Sequence, residues 1–400
     1  MTITKTTTRR IPAILGGRPD FPAGLALVRP AFDDVSGLTG RIAKILESGE
    51  LTNGALVREL EETVSDRCDV DHAVAVSSCT AGLMLTYQAL AVTGSVVLPS
   101  FTFAASAHAI SWAGGQPSFA EVLPDTCSLD PEDAATILDG ASALSATHIY
   151  GAPSHIEELE ALARAAGIPL IFDAAHALGS RHNDKPVGGF GTAEVFSLSP
   201  TKVATAGEGG LVTTNDTGLA EAVRLGREYG NPGNYDCRFP GLNARMSELH
   251  AALALASLER LDARVARRNE LVQAFKNAVA GLPGLSFQHV RQADVSTYKD
   301  LTILVEGDTF GLSARELQRA LRAEGVDTRR YYSPPIHLQQ AYSSRPYQRR
   351  LPITERLGET ALTLPLSSEA SLETQVRLAE TLCSLHHAAD TVRRNLAELS

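Results

Sequence analysis

The chain has 400 residues, of which 44% are hydrophobic and 20% charged. That composition excludes a disordered or fibrous chain, and the length predicts two or three domains. Thirty-six basic residues stand against 46 acidic ones, a net charge of −10. Such a chain gains nothing from counterion release on nucleic acid, so no nucleic-acid partner is expected, although a local site can still be positive.

Met1 to Arg10 is polar and Thr-rich, without the apolar stretch of a signal peptide, and is expected to be a loose tail. Leu51-Thr-Asn-Gly54 precedes an amphipathic helix from Leu56. Between about 70 and 215, short apolar runs alternate with helical segments. Ala73–Val76, Ser95–Leu98, Ala143–His148, Pro169–Phe172, Glu194–Ser197 and Gly210–Thr213 are predicted strands. Ala81–Ala91, Phe103–Ala113 and His155–Ala166 are predicted helices. Alternation of this kind implies a mainly parallel sheet covered on both faces. Near Asn243 the pattern changes to a long helical stretch over Ala244–Leu282, ended by Gly281-Leu-Pro283. Strands are then expected over Thr297–Leu304 and Val326–Tyr331, flanking a helix from about Ser313. A short strand near Leu362–Leu364 and a helix from about Leu372 follow.

The five cysteines, at 68, 79, 127, 237 and 383, form no C-x-x-C pair. The expectation is reduced thiols in a cytoplasmic protein, with neither a disulfide framework nor a metal site. No apolar run is long enough to span a bilayer, so no membrane partner is expected.

Three segments end strands and carry unusual polar groups, and in open α/β sheets ligands bind at the carboxyl ends of strands. Ser77-Ser-Cys-Thr-Ala-Gly82 opens a helix, whose free N–H groups suit a phosphate. Taken alone, an ordinary Ser or Thr cap is the commoner explanation. Asp173 follows an apolar strand, where a carboxylate needs a partner. It could also be a cap or half of a structural ion pair. His176 lies three residues on and shares the site if the segment turns. Lys202 lies in Ser197-Leu-Ser-Pro-Thr-Lys202, between two strands and before Gly207-Glu-Gly-Gly210. A partly buried lysine has a lowered pKa and suits Schiff-base chemistry, although surface lysines are far commoner. The glycines lack the G-x-G-x-x-G spacing of a nicotinamide enzyme and read as backbone packed against something. A phosphate cradle, a strand-end Asp and a downstream Lys together are what pyridoxal 5′-phosphate (PLP) requires.

The chain resembles the DegT/DnrJ/EryC1/StrS family of sugar aminotransferases, a branch of the fold-type I PLP enzymes. The resemblance rests on Leu51–Gly54, Thr80-Ala-Gly-Leu83, Leu98-Pro-Ser-Phe-Thr-Phe103 and Asp173-Ala-Ala-His-Ala-Leu-Gly179. It continues through Ser197 to Lys202, Gly207–Gly210 and Gly241-Leu-Asn-Ala-Arg-Met-Ser-Glu248. Tyr332-Ser-Pro-Pro-Ile-His337 and Leu362-Thr-Leu-Pro365 complete it. It implies a large domain with a mainly parallel seven-stranded sheet and a smaller C-terminal α+β domain. The implied division is 1–30 as a tail or arm, 31–260 as the PLP-binding domain and 261–400 as the small domain.

By the same resemblance Lys202 is the Schiff-base lysine and Asp173 the partner of the pyridine nitrogen. His176 lies near the 3-hydroxyl, and Phe103 stacks on the ring. Cys79, Thr80 and Ser197 bind the phosphate, and Asn243 reaches the phosphate of a neighbouring subunit. The implied assembly is a homodimer with shared sites. The implied reaction moves an amino group from L-glutamate to a nucleotide-linked keto sugar, such as a dTDP-4-keto-6-deoxyhexose. A 3-keto sugar, a cyclitol ketone and a non-catalytic regulatory role are the alternatives. Two departures stand out: Leu198-Ser-Pro200 where the family often has an aromatic and a His, and Cys79 where Gly or Ala is common. A related branch dehydrates sugars with His in place of the lysine, and Lys202 argues for transamination.

Overall fold

The computed structural model describes residues 10–343 and 349–398; the expected loose tail, except for Arg10, lies outside the described residues. Seven strands form the larger sheet. They are β1 (His72–Val76), β2 (Ser95–Pro99), β3 (Gln116–Ala120), β4 (Ala143–Thr147), β5 (Leu170–Asp173), β6 (Ala193–Ser197) and β7 (Gly210–Thr214). Their spatial order is β1-β7-β6-β5-β4-β2-β3. All neighbours pair in parallel except β7, which runs antiparallel to both β1 and β6.

Burial on both faces follows from the sequence of each strand, because side chains alternate between faces. Val74, Val76, Val96, Leu98, Ile171, Val195 and Val212 enter one core, with α3 (Cys79–Ala89) and α4 (Ala104–Trp112). Ala73, Ala75, Phe196 and Leu211 enter a second core, with α2 (Ala55–Cys68) and the helix Glu248–Leu258. Val97, Leu144, Leu170 and Phe172 enter a third, with the helix Ile156–Ala166. Gly82 lets α3 sit close to the sheet: a Cβ there would lie 2.8 Å from Val195 Cγ1 and 3.0 Å from Val212 Cγ2.

A smaller antiparallel sheet orders β8 (Leu285–Phe287), β9 (Leu301–Val305) and β10 (Ala361–Leu364). The helices Leu261–Ala278, Ala314–Ala323 and Leu372–His387 close its core. Ile14, Leu15, Phe21 and Leu25 pack onto that core, so the segment expected as a tail or arm is, from Arg10 on, part of this layer. Glu324, almost wholly buried, accepts from the backbone N–H of Ala13 at 2.7 Å and of Asp20 at 2.9 Å.

Departures from the sequence expectation include four elements. The long helix is two helices, Glu248–Leu258 and Leu261–Ala278, broken at Glu259 and Arg260. The first packs on α1 (Val35–Ser48) and α2, and the second on Leu372–His387, so two different cores draw the axis apart. The strand expected over Thr297–Leu304 pairs only from Leu301. Tyr298 has φ +42°, which no ladder accommodates. Val326–Tyr331 forms no strand: Val326 bridges Leu25 and Arg329 bridges Thr363, one residue pair each. β3 is an additional edge strand; its Pro117 is tolerated there, because an edge leaves N–H positions unpaired.

Candidate active site

The site lies at the carboxyl ends of β5 and β6 and at the N-terminus of α3. Asp173 ends β5 and is only 3% exposed. Its carboxylate is satisfied from three elements. Ser106 Oγ, on α4, donates to Oδ2 at 2.6 Å, and the Ala175 N–H donates to Oδ1 at 3.1 Å. Cys79 Sγ donates more weakly to Oδ1 at 3.9 Å and to the Val195 carbonyl at 3.5 Å. Burial, then the charge of Asp173, pushes the Cys79 thiol well above its ordinary value, so it stays protonated. The Ser106 hydroxyl is itself placed by Thr102 at 3.1 Å, which reaches Thr147 on β4 at the same distance.

Ser78 caps α3, its Oγ accepting from the Ala81 N–H at 3.1 Å. The ordinary capping role thus falls to Ser78, and Cys79 and Thr80 open the helix, where N–H groups carry no intrahelical partner. Gly210 packs against this turn. A Cβ on it would lie 2.5 Å from the Cys79 nitrogen and 2.5 Å from the Ser78 carbonyl carbon, so the glycine run packs its backbone against the turn. Ser197 ends β6, and its Oγ accepts from the Ser199 N–H at 3.3 Å.

Lys202 sits in the connection from β6 to β7. Burial, then the charge of Lys299, lowers its pKa to about 8 against the opposing charges of Asp300, Cys79 and Asp173. Among the described residues no hydrogen bond or ion pair holds its amine. His176 lies in the turn after Asp173, where the Ala177 N–H donates to the Ala174 carbonyl at 2.8 Å. Burial holds the imidazole well below its ordinary value, aided by Lys202 and Lys299, so it is neutral at pH 7. Its Nδ1 is buried without a partner, and Thr297 Oγ1 fixes its backbone carbonyl at 2.6 Å.

Lys202, Asp173, Cys79 and His176 therefore form one electrostatically coupled group, with Thr80 and Ser197 on the adjoining turns. Phe103 caps the start of α4, is 59% exposed and faces Tyr332 at 6.3 Å between ring centroids. Asn243 stands apart: it is exposed, and no hydrogen bond of its side chain occurs among the described residues. Its neighbour Ala244 accepts from the Ser77 N–H at 2.8 Å, which ties the Asn243 segment to the same turn.

The sequence did not reveal Ser106, the Lys299–Asp300 pair or the cleft around Tyr331 and Tyr332. Lys299 Nζ lies 2.7 Å from Asp300 Oδ1 with both side chains at most 3% exposed, and Asp300 Oδ2 has no partner. Ser106 carries no motif; only the crossing of α4 over β5 brings it to Asp173.

PLP fits these residues. Its phosphate suits the N–H groups of Cys79 and Thr80, for which the absent side chain of Gly210 leaves room. Its ring polar groups suit Asp173 and the orphaned His176 Nδ1, and its aldehyde suits the unpartnered Lys202 amine.

The fold is that of the fold-type I PLP-dependent aminotransferases. The chain belongs to the DegT/DnrJ/EryC1/StrS aminotransferase family, whose sequence model matches residues 35–383. It is 31% identical over 363 residues to the dTDP-3-amino-3,4,6-trideoxy-alpha-D-glucose transaminase of Streptomyces venezuelae, covering 89% of this chain and 94% of that one. It is 29% identical to a pleiotropic regulatory protein of Geobacillus stearothermophilus, over 86% and 92% of the two chains. Among solved structures it superimposes on DesI, determined with its TDP-sugar product, with a TM-score of 0.90 and 36% identity over 96% and 98% of the chains. S. venezuelae DesV in complex with a ketimine intermediate gives a TM-score of 0.85 and 29% identity over 91% and 98%. The chain is therefore an aminotransferase of a sugar-aminotransferase family.

Proposed function

We propose that the chain uses PLP to transfer an amino group from L-glutamate to a nucleotide-linked keto sugar, a dTDP-4-keto-6-deoxyhexose in the first instance. The observation that carries this reading is the partly buried Lys202 amine, without a hydrogen bond or ion pair among the described residues and lowered to about 8, with Asp173 among the charges that act on it. Similarity to transaminases and structures named for dTDP- and TDP-sugars supports the substrate class.

PLP, when bound, supplies an electron sink for the carbon that gains or loses the amine. Lys202 would hold it, Asp173 would meet its ring nitrogen, and the first-turn N–H groups of α3 with Ser197 would hold its phosphate. The Asp173 carboxylate is oriented by Ser106, so it stabilises positive charge opposite it without reorganising. Lys202 Nζ, once free, takes and returns the proton of the substrate carbon. A pKa of about 8 leaves an appreciable fraction as free base near neutral pH, which suits a general acid/base worth about 10²–10⁴-fold. His176 is neutral and offers one ring nitrogen without charge. The Phe103 ring gives a stacking face.

Asn243, exposed and with no side-chain hydrogen bond among the described residues, suits contact with a second copy, and we read the assembly as a homodimer with shared sites. The five cysteines are all free, which fits the reducing cytoplasm. A regulatory role without turnover is the second reading, prompted by the Geobacillus relative. The primed lysine counts against it.

Nucleotide keto sugars incubated with glutamate, with products identified by mass and NMR, test the reaction. An amino sugar is the expected product; a loaded protein that ignores every amino donor overturns the assignment. Mixing Lys202→Ala with an Asn243→Ala variant tests the shared sites. Activity should return after subunit exchange, and a fully active monomer by light scattering would overturn the dimer.

A further inference from the structure

Phe103 also lines a cleft of about 560 Å³ that carries three arginines. Phe103, Tyr331 and Tyr332 form its aromatic wall, and Arg315, Arg329 and Arg330 face them. No Asp or Glu is among the described lining residues, although the chain as a whole carries −10.

The three guanidinium groups are not equivalent. Arg329 is paired with Asp327, so its charge is balanced. Arg330 Nη2 donates to the carbonyls of Gly358 at 2.9 Å and Glu359 at 3.1 Å, and its Nε is buried with no partner. Arg315 makes no hydrogen bond or ion pair among the described residues. It also lies in the first turn of the helix Ala314–Ala323, where the dipole disfavours a cation. Burial, and then the neighbouring charge of Arg315, holds the Arg330 guanidinium below its ordinary value, with Glu359 opposing. Two like charges are thus held close together, one at a helix start and one with an orphaned N–H, and no described residue lining the cleft neutralises them.

We propose that Arg315 and Arg330 form a subsite for the diphosphate of a nucleoside diphosphate-linked substrate, with the exposed ring of Phe103 between that subsite and Lys202. The inference rests on the nucleotide-sugar reading given above. Guanidinium forks match phosphate oxygens two at a time, and a diphosphate offers a negative charge for each uncompensated arginine. The volume suits a ligand of nucleotide size. A dicarboxylate donor would use the same chemistry, and the test separates the two.

The PLP-loaded protein is titrated calorimetrically with thymidine diphosphate and, separately, with L-glutamate. Arg315→Glu and Arg330→Lys are compared with wild type. Arg315 is exposed, so its variant leaves the packing intact, and Arg330→Lys keeps the charge that faces the Gly358 and Glu359 carbonyls. Each variant should bind thymidine diphosphate about 10-fold more weakly or worse, and the wild-type affinity should fall as salt is raised. The absorbance change on adding glutamate should persist in both. Wild-type binding retained in both variants overturns the subsite alone. Loss of the glutamate response with thymidine diphosphate binding intact overturns it in favour of a carboxylate. No thymidine diphosphate binding by wild type overturns the nucleotide reading, and the subsite with it.

Discussion

Ser106 donates to Asp173 Oδ2 at 2.6 Å, and this one bond ties the first half of α4 to the end of β5. It is the shortest contact the carboxylate makes. Ser106→Ala should leave a buried carboxylate short of a donor and lower stability by about 1–3 kcal/mol. The same change should reduce turnover about 10-fold or more while the cofactor is retained, because Asp173 loses its orientation and the phosphate anchor does not. Denaturant melts and steady-state kinetics check the two halves separately.

Asp173→Asn removes the charge and keeps the shape. Turnover should fall far more than cofactor retention, since an amide cannot hold a proton on the facing ring nitrogen. Equal rates in variant and wild type would make Asp173 a structural residue.

Lys202 makes the unloaded protein's stability depend on pH in the alkaline range. Its folded pKa of about 8 lies below the ordinary lysine value, so between the two the unfolded chain binds more protons. Stability therefore rises with pH through that window. Below pH 8 the folded protein bears the full penalty of covering a charged amine, at most about 2–3 kcal/mol for a side chain not wholly enclosed. Lys202→Met should melt higher than wild type at pH 7, with the difference closing towards pH 10.5. It should also be inactive and lose the single lysine that borohydride labels in the loaded protein.

Glu248, 3% exposed, caps α2 from 191 to 194 residues away. Its carboxylate accepts from the N–H groups of Gly54 at 2.8 Å, Leu56 at 2.8 Å and Val57 at 3.1 Å. Glu248→Ala strips three donors at a helix start at once and should cost about 2–4 kcal/mol, lowering the melting temperature by several degrees. Gly54→Ala should do similar damage, because its Cβ would meet Glu248 Cδ at 2.8 Å.

Gly210→Ala should act on the cofactor as well as on stability. The added carbon meets backbone, the Ser78–Cys79 peptide at 2.5 Å, and that turn must shift. Fluorescence titration should show PLP affinity reduced about 10-fold or more. Unchanged affinity would mean that the turn does not cradle the phosphate.

What the sequence disclosed and what it concealed divide along physical lines. Six strands of the large sheet announce themselves as apolar runs because both faces are buried. β3 did not, since Gln116-Pro-Ser118 sits half covered at an edge and has no apolar run. The turn at Glu259 and Arg260 has no Gly or Pro to mark it; it exists because two cores pull on the flanking helices. Lys202, Asp173 and the Ser78 turn were legible as types of residue at strand ends. Ser106, Lys299 and Arg330 were not, because each reaches its place through a contact between elements far apart in the chain. The family motif Gly241–Glu248 was visible, but that Glu248 holds the Leu51–Gly54 motif required the folded molecule.

Lys202 rides on the Leu198–Gly209 connection, and both ends of that connection are stitched into the middle of the sheet. Ser197 opposes Gly210 in the ladder, the Leu198 N–H donates to the Gly209 carbonyl at 2.9 Å, and the Ala206 N–H donates to the Leu198 carbonyl at 2.8 Å. In the reaction proposed above, an amine on a tether closed in this way would stay beside the carbon it serves. Its action there would be intramolecular and would not await diffusion. Free small amines, supplied from solution to a Lys202→Ala protein, would have to reach molar levels to do the same work.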